Sequence, residues 1–418
     1  MSQKKSLAPV VAKTAQTLST LAASSGLIRN QALLSLCDLL ERSTEKILAA
    51  NQEDLKEAKK NKLPPALIDR LSLNETRLTQ LVSGLKETAA LPDPLGAIED
   101  HRTLPSGLLV GKLRIPLGLI AFICEARPGA VAEAASMALK SGNAIIIKPG
   151  KEVAKTAKAL APLFAEALAA TGLPSQAVTI LPDLDHEGLK ELLTLNQYID
   201  LVIPRGGENL IRFVDENSRI PVLRHFKGVC HLYVDEGADL KMALDVAVNA
   251  KANRPGTCNA LECLLIHEKE AQRFLPQVGS ALVAQGIQIL ASADILPYLP
   301  EATLAKPDDF GHEFLGPKIA IKTVPDLEGA LEHIRRYGSR HTEAIVTKDH
   351  KRAQIFLKRA DAGCVLVNAS TRLNDGGCLG LGAEIGISTT KLHAYGPMGL
   401  KELTTTKFVV QGDGHLRQ

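Results

Sequence analysis

From Gly118 onward the chain repeats one pattern, a short unbroken apolar run followed by a longer segment of helical period. Gly118–Cys124, Ala144–Ile147, Ala177–Leu181 and Leu201–Ile203 are the first such runs. Ala130–Leu139, Val153–Ala170 and Leu189–Leu195 alternate with them, their apolar residues at helical spacing. A strand that is apolar on both faces has to be covered on both, which a parallel sheet flanked by helices achieves. The pattern resumes with strands Leu232–Val234, Cys263–Ile266, Ile319–Val324, Ala344–Thr347 and Cys364–Val367. Its helices are Leu240–Ala250, Ala271–Gln285 and Leu327–Tyr337. Two parallel α/β series are therefore expected, and 418 residues suggest two or three domains at roughly 100–200 residues per domain.

The flanking segments read differently. Leu27, Leu33, Leu34, Leu36, Cys37, Leu39, Leu40, Ile47 and Leu48 recur near helical spacing in the first hundred residues. Ser72-Leu73-Asn74-Glu75 has the form of a capping box ahead of Leu78, Leu81 and Val82. Pro92, Pro94 and Gly96 end that region. Leu108–Leu117 reads as a strand pair turning around Gly111 and Lys112. Asn374–Gly386 is rich in Gly and Asp and reads as a long loop. Thr404–Gln411 is a late strand with no neighbour in sequence, so it needs a partner in the early hairpin or in another subunit.

Charge and composition exclude several classes of partner. The 49 Lys+Arg nearly cancel the 46 Asp+Glu, leaving a net charge of +3 and no bulk cationic field for nucleic acid or an anionic membrane. Trp is absent and aromatic residues are 3% of the chain, too few for base-stacking platforms. No apolar run approaches the ~20 residues that span a bilayer, and Met1–Thr20 lacks the apolar stretch of a signal peptide. A cytoplasmic protein is expected. Its seven cysteines are odd in number and form no C-x-x-C pair, which fits reduced thiols. Cys258, Cys263 and His267 suggest a metal at first sight. Strand alternation through Leu261–Ile266 sends them to different faces, so no metal site is expected.

Three places offer chemistry. The G-x-G-x-x-G dinucleotide fingerprint is missing, but two strand-to-helix junctions could replace it. Ile203-Pro204-Arg205-Gly206-Gly207 would let backbone N–H groups approach a pyrophosphate at a helix N-terminus, although a plain glycine turn looks the same in sequence. Ile147-Lys148-Pro149-Gly150-Lys151 puts lysines at the carboxyl end of a strand, the usual ligand edge of a parallel sheet, although loop lysines are common there. Cys258 lies in a polar turn, Asn253-Arg254-Pro255-Gly256-Thr257-Cys258-Asn259, where Arg254 would favour the thiolate. A buried, inert thiol is the alternative reading of any cysteine.

Ile147-Lys148-Pro149, the strand-to-helix glycines, the Asn253…Gly256…Cys258 spacing and Glu313-Phe314-Leu315-Gly316-Pro317 together resemble the aldehyde dehydrogenase superfamily. Cys124-Glu125-Ala126-Arg127-Pro128, the run Gly228–Glu236, Asn368-Ala369-Ser370-Thr371-Arg372, Gly380–Glu384 and Lys391–Ala394 are similar to its branch that reduces an acyl phosphate. The matches continue to Gly396-Pro397-Met398-Gly399-Leu400 and so cover nearly the whole chain.

The resemblance implies an α/β fold of the aldehyde dehydrogenase type. A Rossmann-type, NADPH-binding domain would be built from 1–100, 118–226 and 377–399, and a catalytic α/β domain from 227–376. A small β flap for oligomerisation would come from 101–117 and 400–418. Cys258 would attack γ-glutamyl phosphate and expel phosphate, leaving a thioester that hydride reduces to the aldehyde. Relatives that hydrolyse the thioester carry a Glu; the matching stretch here, His225–Val229, has no carboxylate. His225 reads either as a substitute acid–base group or as an exposed loop histidine. Ala126 stands where the superfamily often has an oxyanion-binding Asn, leaving that task to the Cys258 N–H and Asn253.

The resemblance also implies roles for the binding residues. Lys151 occupies the place where NAD-preferring relatives carry a Glu, so Lys148 and Lys151 are expected to face the adenosine ribose and favour the 2′-phosphate of NADPH. Pro149, Gly206 and Gly207 would complete the cofactor site, and Glu313 would bind the nicotinamide ribose. Arg127, Arg254 and Arg372 are candidates for the phosphate and the α-carboxylate, and Glu125 for the α-ammonium. A homo-oligomer is expected, as is transient contact with a glutamate 5-kinase on a separate chain.

Overall fold

The alternating pattern folds into two parallel sheets, one in each of two compact units. The computed structural model describes residues 6–417; Met1–Lys5, part of the stretch read for a signal peptide, lie outside it. One unit takes the chain through Arg224 together with Leu381–Gly386 and the stretch from Met398 onward. The other comprises His225–Gly380 and Ile387–Pro397.

The N-terminal helices Gly26–Arg42, Thr44–Lys60 and Glu75–Ala90 bury Leu33, Leu36, Leu40, Ile47, Leu78 and Leu85. Asn74, rather than Ser72, caps the last of them, its side-chain oxygen accepting the Arg77 N–H at 2.8 Å. A charged hairpin follows, β1 (Ile98–Thr103) and β2 (Leu109–Pro116). The turn expected at Gly111-Lys112 is not there. Gly107, at φ +89°, supplies the left-handed backbone the reversal needs, whereas Gly111 sits inside β2 with Ile98 packed over it. β1 escaped the sequence reading because its side chains (IEDHRT) are all exposed and carry no apolar alternation.

The first parallel sheet consists of β3 (Leu119–Cys124), β4 (Ala144–Lys148), β5 (Val178–Ile180) and β6 (Leu201–Arg205) in the order β5-β4-β3-β6. Every residue of β3 is buried, as expected for a strand covered on both faces. The chain builds outward from β3 on one side and then returns to its other side at β6. That reversal opens a crevice at the carboxyl ends of β3 and β6, where open α/β sheets bind ligands.

The second sheet has β7 (Cys230–Val234), β8 (Leu261–His267), β9 (Gln288–Ala291), β10 (Thr303–Leu304), β11 (Lys318–Val324), β12 (Thr342–Val346) and β13 (Cys364–Val367). Their order is β10-β9-β11-β8-β7-β12-β13, all parallel. One face packs Phe274, Leu275, Val278 and Leu282 of helix Glu268–Ala284, and the other Leu327, Leu331 and Ile334 of helix Leu327–Tyr337. Helix His350–Arg359 was missed in the sequence: only Ala353 and Phe356 are buried in an otherwise polar segment, with Asp349 capping it.

Two short strands, β14 (Gly386–Ser388) and β15 (Gly396–Met398), pair with each other. β16 (Thr404–Gln411) lies antiparallel on β2 along its whole length, so the lone terminal strand completes the early hairpin. Phe408 (68% exposed) and Val410 (56%) remain on its surface. The expected cofactor-domain segment 377–399 is divided, because Ile387–Pro397 belongs to the second unit. Lys391 Nζ lies 2.8 Å from Asp361 Oδ1, Tyr395 donates to the same carboxylate at 3.1 Å, and Gly363 backs directly onto Gly396. Among the described residues no helix is long and apolar enough to cross a membrane.

Candidate active site

In the first unit the singled-out residues gather at the carboxyl edge of its sheet. β3 runs into Glu125-Ala126-Arg127, and Ala126 takes φ +38°, a left-handed backbone that side chains adopt only when held there. Two carboxylates hold it. Glu152 accepts the Ala126 N–H at 2.8 Å, and Glu125 accepts the Gly207 N–H at 2.8 Å. A Cβ on Gly206 would lie 2.5 Å from the Glu125 carboxylate, which gives that glycine its steric reason. The structure thus places Glu125 on the glycine turn. Gly207 caps helix Glu208–Asn217 and Arg127 caps helix Pro128–Lys140.

Lys148 ends β4 half-buried, and Pro149 and Gly150 are buried. Burial pushes the Lys148 ammonium below its ordinary value, with Glu152 opposing the shift. Lys151 opens the 3-10 turn Lys151–Val153 and is exposed. Two cations and a helix N-terminus at the switch point of a parallel sheet suit an anionic nucleotide.

In the second unit the turn carrying Cys258 lies at the amino edge of the sheet, just ahead of β8. Helix Leu240–Ala252 ends at Asn253, and the turn through Cys258 leads into β8. Arg372, on the 3-10 turn Thr371–Leu373, clamps that turn: it donates to Asn253 Oδ1 (3.3 Å), to Thr257 Oγ1 (2.9 Å) and to Asn259 Oδ1. Buried Asn259 donates onward to the Asn374 carbonyl (3.0 Å), and Asn374 to Thr342 Oγ1 (2.7 Å). Beneath lies a fully buried pair, with Lys251 Nζ donating to Glu262 Oε2 at 2.6 Å. Burial drives both toward their neutral forms, lowering Lys251 and raising Glu262 to about 7, while their mutual attraction opposes both shifts. The loop carrying Glu313 adjoins this pair, since Leu315, at φ +50°, donates its N–H to Glu262 Oε1 at 3.3 Å. Arg254 is exposed at the start of the turn.

The segment after Arg224 crosses the Cys258 backbone so closely that a Cβ on Gly228 would lie 2.0 Å from the Cys258 carbonyl oxygen. Cys230 Sγ donates to that same oxygen at 3.2 Å. One donor atom each of His225, Cys258 and His341 lies within 4.8 Å of the others. His225 is half-buried, not the exposed loop residue that was the alternative reading. Asn259, Cys230, His341 and Gly228 were not singled out as site residues. The available signal was polar residues directly abutting apolar runs, at Asn259-Ala260-Leu261 and His341-Thr342.

The suggested trio of Cys258, Cys263 and His267 is broken up. His267 lies at the far end of β8, and Cys263 groups with His231 and His333. His231 Nδ1 lies 3.0 Å from Glu343 Oε2, both residues being fully buried. Burial opposes the His231 imidazolium, but Glu343 and Cys263 outweigh it and raise His231 to about 10. Burial, with His231 adding to it, lowers His333 to about 3. Below the unfolded value near 6.5, only the unfolded chain protonates at His333, so stability falls as pH drops from about 6.5 toward 3. The expected limit is roughly 4–5 kcal/mol. Urea unfolding between pH 7 and 4.5 checks this, with His333→Phe expected to flatten the loss.

Comparisons with known proteins agree on the relationship. Residues 2–289 match the aldehyde dehydrogenase family. The chain is 55% identical over 389 residues to a γ-glutamyl phosphate reductase of Thermus thermophilus, covering 93% of this chain and 94% of that one. It is 51% identical over 410 residues to one of Solidesulfovibrio magneticus, covering 98% of each. The crystal structure of γ-glutamyl phosphate reductase from Thermotoga maritima superposes with a TM-score of 0.97 at 40% identity, covering 99% of this chain and 100% of that one. The chain therefore belongs to the γ-glutamyl phosphate reductases of the aldehyde dehydrogenase family.

Proposed function

We propose that this chain reduces γ-glutamyl phosphate to glutamate 5-semialdehyde, a step of proline biosynthesis, with Cys258 as the nucleophile. The clamped turn carries this reading. Arg372 bonds to three residues around the thiol, and Gly228 and Cys230 seat the Cys258 carbonyl. A nucleophile held this firmly needs little reorganisation to reach its target.

Cys258 Sγ attacks the γ-carbonyl, phosphate leaves, and the acyl group stays on sulfur as a thioester. Members of the family use NAD or NADP, and that cofactor supplies the hydride that reduces the thioester. The Cys258 N–H and the Asn253 amide, whose oxygen already accepts from Arg372, serve the developing oxyanion. No carboxylate stands in His225–Val229 to activate water, so the thioester waits for hydride instead of hydrolysing. Arg127, Arg254 and Arg372 are assigned to the substrate's anionic groups, Arg372 in addition to its bonds with the turn, and Glu125 to its ammonium, in addition to the bond it makes with the glycine turn. Glu313 is assigned to the nicotinamide ribose.

The cofactor is NADPH in this reading, held by Lys148, Pro149, Lys151, Gly206 and Gly207. Lys148 is half-buried at the end of β4 and Lys151 is exposed beside it, two cations for a 2′-phosphate. Lys151→Glu is expected to lower the NADPH/NADH ratio of kcat/KM by about tenfold or more, through repulsion of that phosphate. The exposed apolar residues of β16 are assigned to a homo-oligomer interface, the compartment is the cytoplasm, and the kinase that makes the labile substrate is a separate, transient partner. The deciding experiment is the reverse reaction. Glutamate 5-semialdehyde and NADP⁺ should turn over only with inorganic phosphate; turnover with coenzyme A in its place would identify a CoA-acylating enzyme instead.

A further inference from the structure

We propose that His225 is the acid–base partner of Cys258, taking the thiol proton before attack and giving it to the phosphate that leaves. The inference rests on Cys258 being the nucleophile. Its basis is the grouping of one ring nitrogen of His225, one of His341 and the Cys258 sulfur within 4.8 Å of one another. The two rings are 5.2 Å apart and tilted by 49°.

The two histidines are not equivalent. His341 is fully buried at the start of β12, its Nδ1 2.7 Å from Thr342 Oγ1 and 3.6 Å from Cys230 Sγ. Thr342 is itself tied to Arg372 through Asn374 and Asn259, so His341 belongs to the network that fixes the turn. His225 is half-buried, which gives its ring the exchange with solvent that a proton carrier needs every turnover. It also belongs to the segment seated on the Cys258 carbonyl through Gly228, so its backbone is anchored to the residue it serves. His341 is therefore a positioning residue, and His225 carries the proton.

The other groups around the thiol leave this task open. Cys230 is buried, and burial holds its thiol well above the ordinary value, so it stays a donor. Glu262 is bonded to Lys251, and Glu343 to His231. Glu313 acts on the Lys251–Glu262 pair from its loop. Arg372 lends a positive charge to the turn and accepts no proton at working pH.

The step balances. The imidazole of His225 accepts the Cys258 proton, giving a thiolate and an imidazolium. A carbon–sulfur bond forms, the bond from carbon to the phosphate oxygen breaks, and the electron pair leaves on that oxygen. The imidazolium proton goes to the departing group, which leaves as hydrogen phosphate. After hydride reduction the carbon–sulfur bond breaks, releasing aldehyde and restoring the thiolate. A solvent proton then recharges the imidazole, so each turnover consumes one proton.

The test is the pH dependence of iodoacetamide alkylation at Cys258 without substrate, read by peptide mass spectrometry, in the parent enzyme, His225→Gln and His341→Gln. The parent midpoint should lie below the ~8.5 of a free thiol. His225→Gln should raise that midpoint and slow alkylation at pH 7 by about tenfold. Turnover should fall by tenfold or more, with KM changing less than kcat. Turnover by His225→Ala should recover in part with added imidazole, which a purely structural role would not allow. An unmoved midpoint in His225→Gln, or a shift found only in His341→Gln, overturns the proposal while leaving Cys258 as nucleophile. A Cys258 no more reactive than a free thiol, in an enzyme still active as Cys258→Ala, overturns both.

Discussion

Cys258→Ala is expected to lower turnover by more than about 10⁴-fold in both directions, leaving the fold and nucleotide binding intact. Without the sulfur no thioester can form, so the defect lies in kcat and no substrate concentration restores it. Cys230 lies near enough to be imagined as a substitute, and its surroundings forbid that. It is fully buried, its hydrogen points at the Cys258 carbonyl, and burial holds it protonated, whereas nucleophilic attack needs the thiolate. Steady-state rates, the phosphate-dependent reverse assay and circular dichroism on the same preparation check the prediction. Residual activity above about 1% would remove Cys258 from the centre of the mechanism.

Gly228→Ala is the second large effect, and it acts without touching the substrate. The added methyl would lie 2.0 Å from the Cys258 carbonyl oxygen and 2.9 Å from its Cα, both of them backbone atoms that cannot swing aside. One of the two segments has to move. The turn is bound by Arg372 and enters the buried strand β8, so the relaxation is expected to displace His225 and tilt Cys258. A displacement near 1 Å at a reacting atom costs about 10²-fold in rate, and overpacking adds roughly 1–3 kcal/mol of lost stability. Kinetics together with urea unfolding separate the two parts. A variant with parental kcat would show that the close approach plays no part in holding the thiol.

How far the sequence could be read follows from where each signal is stored. The strands β3, β4, β8 and β11 were legible because their residues are apolar on both faces, a property written in consecutive positions. The charged β1 and the polar helix His350–Arg359 were not, because neither carries its burial as an apolar run. The turn around Cys258 stood out through its Gly, Pro, Arg and Asn. Glu125 had suggested a ligand for an ammonium group; its bond to the Gly207 N–H depends on β3 and β6 being neighbours, a pairing across eighty residues of chain.

Consecutive residues carry the parallel α/β alternation, the polar turn holding Cys258, and the string of motifs that ties the chain to its family. Which residues surround the thiol is settled by folding. His225, Gly228 and Cys230 come from one stretch and His341 and Arg372 from two others, and the parallel order of β8, β7 and β12 brings them to one sheet edge. Parallel neighbours are joined by long crossovers, so contacts at such an edge have no fixed spacing along the chain. Periodicity can announce each strand; it carries no record of which strand will lie beside it.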